Sequence, residues 1–60
     1  MTLEQQIKCA ARELAMRRNV YPKWVANRKM PEAKADLEIK GMSAILETLK
    51  ALEAKTKEWQ

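Results

Sequence analysis

Apolar side chains recur at Leu3, Ile7, Ala10/Ala11 and Leu14, advancing by three and four positions, the spacing that lines up one face of an α-helix. Continued, the same stripe reaches Arg17/Arg18 and then Tyr21. Thr2 and Gln5 stand at capping-box spacing, where the hydroxyl accepts from the amide three residues on and the Gln side chain reaches back, so a first helix is expected to open at Thr2. Glu4 with Lys8 and Glu13 with Arg17 are pairs four apart in the favourable order, each contributing about 0.2–0.5 kcal/mol.

A second and longer pattern runs through Ala35, Ile39, Met42, Ile45/Leu46, Leu49 and Leu52, with Trp59 as a distant member. Met42, Ile45, Leu49 and Leu52 alternate steps of three and four, a short coiled-coil-like seam. Asp36 with Lys40 and Glu53 with Lys57 add surface pairs of the same kind. Gly41 interrupts this helix at a cost of about 1 kcal/mol relative to Ala. Either a neighbour such as Trp24 or the first helix packs closely on it, or the cost is tolerated.

Two prolines divide the patterns. Pro22 lacks an N–H and disfavours α conformation at Tyr21, so it is expected to end or kink the first helix there. Proline suits the first position of a helix, and a short connecting helix from Pro22 to about Arg28 is expected to follow. Met30-Pro31 repeats the device and launches the last helix, from Pro31 to about Lys57 and around 40 Å long at 1.5 Å per residue. No run alternates with a strand's period of two. The expected fold is all-α, one helical-hairpin domain over residues 1–60, built from a first helix, a short connecting helix and a long last helix.

An arm of about 17 residues cannot cover one of about 27 residues at the same rise per residue. A chain of 60 residues also buries only about 60% of its unfolded surface. Both arguments predict a homo-oligomer, with Met42, Ile45, Leu49 and Leu52 as its interface. Other supports are absent: Cys9 has no partner for an internal disulfide, and without His a structural zinc site is not expected. No cofactor is called for. The opening residues lack a signal-peptide pattern, no apolar run approaches a membrane span, and a lone cysteine suits a reducing compartment, so a cytoplasmic protein without membrane contact is expected.

The net charge of +4 is unevenly spread. Residues 1–16 balance, residues 35–60 carry a slight acidic excess, and residues 17–34 hold Arg17, Arg18, Lys23, Arg28, Lys29 and Lys34 against Glu32 alone. Tyr21 and Trp24, two of the three aromatics, lie among these cations. Guanidinium and ammonium groups hold phosphates, and an aromatic ring stacks on a base. Arg17, Arg18, Tyr21, Lys23, Trp24 and Arg28 are therefore the candidate ligand-binding residues. The plainer alternative is that Trp24 and Val25 cap the hairpin while the cations are merely solvated.

Catalysis finds no support. Ser43 and Cys9 are the lone hydroxymethyl and thiol nucleophiles, both inside expected helices with no base offered nearby. The carboxylates fall at ion-pair spacing on helix surfaces, and one glycine cannot build a phosphate loop. A non-enzyme is expected.

Arg12-Glu13-Leu14-Ala15-Met16-Arg17-Arg18, then Val20-Tyr21-Pro22-Lys23-Trp24-Val25, then Ala33-Lys34-Ala35-Asp36 with Met42 and Ile45, resembles a family of short prophage-encoded helical proteins. The resemblance covers roughly Ile7 to Leu52. Many members have Gly near position 27 or 28 and His after the Asp, where this chain has Asn27-Arg28 and Leu37. It implies a phage origin and supplies no activity.

Three functions fit. The first is an anti-defence protein that sequesters an anionic nucleotide ligand, such as a cyclic nucleotide, in a pocket between protomers, since one small hairpin cannot enclose the few hundred cubic ångströms required. The second is a nucleic-acid-binding regulator using the basic corner. The third is an inhibitor or adaptor of a host protein acting through the last helix.

Overall fold

The computed structural model describes residues 1–58, and its chain is all-helical there: α1 (Leu3–Ala26) folds back along α2 (Glu32–Glu58). Trp59, the distant member of the expected apolar pattern, lies outside the described residues, as does the side chain of Lys57. The capping box forms as expected. The Gln5 amide donates to Thr2 Oγ1 at 3.1 Å, and the Thr2 amide donates to Gln5 Oε1 at 2.8 Å.

The break expected at Tyr21-Pro22 does not occur. α1 runs through Pro22 to Ala26, and no separate connecting helix forms. The proline ring fixes φ near the helical value, and its cost is the hydrogen bond its amide would give to the Arg18 carbonyl together with crowding of that carbonyl by the ring. That loss falls near the end of α1, where the chain closes itself in another way. The Asn27 amide donates to the Lys23 carbonyl at 3.0 Å, Arg28 to Val25 at 3.0 Å and Lys29 to Trp24 at 2.8 Å. The last two are the paired bonds of a Schellman stop. Its left-handed position, usually glycine, is held by Arg28 at φ 59°. α2 begins within a residue of the expected start, with the Ala35 amide donating to the Pro31 carbonyl at 3.1 Å.

Because α1 is 24 residues long and α2 is 27, the arms nearly match, and the large overhang expected from a short first helix is absent. The core is thin. Ala10, Leu14 and Leu46 form its centre, with Ile7, Ile39, Met42 and Leu49 packed against them. Among the described residues Ala35 is the one other buried residue, and no side chain is fully enclosed. The radius of gyration is 14.2 Å, against about 10 Å for a compact chain of this length.

The long helix divides its apolar residues between two faces. Met42 and Leu49 of the expected oligomer seam serve the intramolecular core, whereas Ile45 and Leu52 are each 52% exposed. Gly41 has nothing within 4 Å of where a Cβ would stand. Neither Trp24 nor α1 packs on it, so within one chain its cost is tolerated.

Candidate functional site

The structure separates the candidate corner residues by face. At about 100° per residue, Arg17, Tyr21 and Trp24 share one flank of α1. Arg18 and Val25 lie on the other flank, and Lys23 points away from α2. The six candidates do not converge on one pocket.

Arg17 is engaged within the fold. Its Nε donates to Glu13 Oε1 at 2.9 Å, and its Nη1 donates to the Glu38 main-chain carbonyl at 2.9 Å and to Glu38 Oε2 at 3.4 Å. The side chain is one-fifth exposed. The Glu13 hydrogen bond raises the guanidinium pKa above its ordinary value against a lowering by burial, with Tyr21, Glu13 and Glu38 adding charge attraction. Two carboxylates thus already answer this cation, and it clamps α1 to α2. Sequence spacing identifies Glu13 as its partner. Glu38, 21 positions away, has no such signal.

The clamp orders a stack. The Arg17 guanidinium carbon lies 5.9 Å from the Tyr21 ring centroid, within cation–π range. Tyr21 and Trp24 follow with centroids 5.4 Å apart and planes 26° from parallel, an offset-stack geometry. Tyr21 is half-buried while Trp24 is 39% exposed. Trp24 therefore ends the stack with indole surface open to solvent. Arg28 and Lys29 follow directly, in the turn whose amides bond back to Val25 and Trp24, and both are exposed. Lys29 was not among the sequence candidates; the helix stop that brings it back onto Trp24 contains no glycine to announce it. Among the described residues Arg18, Lys23, Arg28 and Lys29 form no ion pair.

On the opposite flank an open groove of about 360 Å³ runs between the end of α1 and the start of α2, floored by Pro22, Val25, Ala35 and Ile39. Glu32 and Asp36 also line it, so its carboxylates oppose an anionic occupant. The electropositive, aromatic side of the corner and its concave side are different surfaces. Among the described residues no cluster of three His, Cys, Asp or Glu side chains is placed to hold a metal ion, and no helix is long and apolar enough to cross a membrane.

Comparison with protein-family models, with curated proteins and with solved structures gives no match.

Proposed function

We propose that this protein is a non-enzymatic binder of nucleotide units. A base stacks on the outer face of Trp24, and phosphates are met by Arg28 and Lys29. The observation that carries the reading is the open end of the Arg17–Tyr21–Trp24 stack, beside exposed cations that form no ion pair among the described residues. Arg17 and Tyr21 support the platform from behind rather than touching the ligand. Such a surface suits a single strand, whose successive bases stack while its backbone follows positive charge. Arg28 strengthens the reading: an exposed arginine occupies a left-handed backbone position that glycine fills more easily, and strain of this kind gathers where function requires a side chain.

The test is tryptophan quenching in a Trp59→Phe background, which leaves Trp24 as the single tryptophan. Titration with a short single-stranded oligonucleotide should quench the emission, with affinity falling as salt rises in proportion to the few phosphates engaged. Absence of quenching by any oligonucleotide or mononucleotide at millimolar concentration overturns the proposal.

A second reading, nucleotide sequestration as an anti-defence device, would suit the phage origin that the resemblance implies and needs a pocket completed by another protomer. Submicromolar binding of a cyclic nucleotide with little salt dependence, one ligand per two chains, would favour it over the single-strand reading.

A further inference from the structure

α2 carries an exposed band that the hairpin does not use. At about 100° per residue, Leu37, Gly41, Ala44, Ile45, Thr48 and Leu52 fall on one side of the helix, next to the core face and bordered by the Arg17–Glu38 clamp. Leu37 is 69% exposed, and Ile45 and Leu52 are each 52% exposed. No charged residue interrupts the band between Lys34 and Lys55. Its one polar group is already satisfied, since Thr48 Oγ1 donates to the Ala44 carbonyl at 3.1 Å. Burying this face would therefore strand no polar atom.

The positions of the band are symmetric, with leucine at both ends. Leu37 and Leu52, Gly41 and Thr48, and Ala44 and Ile45 are placed symmetrically about one point between positions 44 and 45. A two-fold interface requires a patch that is complementary to itself, and an antiparallel second copy of α2 sets those three pairs face to face. The open concavity of about 330 Å³ lined by Thr48, Ala51, Leu52 and Lys55 has the four-residue spacing of a coiled-coil hole. In this register it receives Leu37 of the other copy, and the symmetry makes the insertion twice. Gly41, with open space around it, lies across from Thr48 and lets the backbones approach.

Charge selects the orientation. Lys40 and Glu47 lie along one edge of the band, both exposed and without an ion pair among the described residues. In the antiparallel register Lys40 of each copy comes beside Glu47 of the other, giving two flanking ion pairs. A parallel pairing would instead bring the two basic corners together. The antiparallel pairing sends them to opposite ends, and its drawback is smaller: Lys34 and Lys55 meet at the solvated margins, where screening is strong.

We propose that the Leu37–Gly41–Ile45–Thr48–Leu52 face is a homodimer interface, occupied by a second copy of this chain in antiparallel register. The inference does not depend on what the corner binds.

Cysteine cross-linking in a Cys9→Ser background tests the register, with sedimentation giving the mass. The parent should sediment at twice the 7.0 kDa of one chain. Ala44→Cys, beside the two-fold axis, should self-link under mild oxidation. Leu37→Cys and Leu52→Cys should each fail to self-link and should link to one another when mixed. Ile45→Glu should raise the dissociation constant at least about a hundredfold, because two carboxylates enter an apolar interface, and a helical circular-dichroism spectrum at high concentration would show that the variant still folds. Efficient self-linking of Leu37→Cys overturns the antiparallel register. A folded wild-type monomer at about 100 μM overturns the interface altogether.

Discussion

The Arg17 guanidinium donates to the main-chain carbonyl oxygen of Glu38 at 2.9 Å. A backbone oxygen of a helix is normally taken by the amide four residues on, so this is a shared acceptor at the point where the two helices are joined. Arg17→Ala removes that bond together with both carboxylate contacts. The expected loss is about 1–2 kcal/mol, discounted for the partial exposure of Glu13 and Glu38, or a fall in Tm of several degrees at this chain length. Arg17→Lys retains the charge but not the fork, and should recover less than half of the loss. Thermal denaturation followed by circular dichroism decides it. A variant as stable as the parent would show that the clamp contributes nothing.

Trp24→Ala separates platform from core. With the ring 39% exposed, the helical signal should survive almost unchanged, while oligonucleotide affinity falls by about 1–3 kcal/mol for one lost base stack. Calorimetric titration of the variant measures the second quantity. Melting of the fold with no change in affinity per folded molecule would make the ring a structural cap.

Arg28→Gly should move two observables in opposite directions. Glycine relieves the left-handed backbone at φ 59° but loosens the unfolded chain, for a net gain of about 0.5–1 kcal/mol. The same change deletes a cation beside Trp24, so nucleotide affinity should weaken and its salt dependence should flatten. Chemical denaturation and titration at two salt concentrations check the pair. Equal affinity in variant and parent would remove Arg28 from the site.

Gly41→Ala probes the exposed band from within the helix. In a single chain the added methyl meets nothing, and the gain should approach the helix-propensity difference of about 1 kcal/mol. In the antiparallel dimer the methyl lies in the interface, so the gain should shrink as protein concentration rises. Tm measured across a wide concentration range distinguishes the two regimes. A gain independent of concentration would argue against close approach at this position.

Periodicity and local spacing made the helical class, the Thr2–Gln5 cap, the start of α2 and the Glu13–Arg17 pair legible in the sequence. These features depend on residues within one or two turns of each other. Pro22 misled because its general cost is read locally, whereas the outcome depends on how few helical bonds follow it and on a Schellman stop made without glycine. Ile45 and Leu46 illustrate the other limit. Adjacent residues on one stripe differ by about 100°, and only the packing angle of α1 determines that Leu46 is buried while Ile45 is exposed. The basic-aromatic corner was visible as composition. Its division into a clamped arginine, an open indole and an acid-lined groove depends on Glu38, Glu32 and Asp36, which reach the corner through the turn.

Pro22, two residues before Trp24, leaves the Arg18 carbonyl without its helical donor. Backbone protection against solvent deuterium should therefore be discontinuous along α1. Amides around Ala10 and Leu14 exchange through opening of the whole hairpin. Those of Lys23 to Lys29, near the helix end and its terminal bonds, should exchange through a smaller opening of lower free energy. That step in protection would fall inside one continuous helix, since α1 runs through Pro22 to Ala26, while Arg17 keeps the two helices registered.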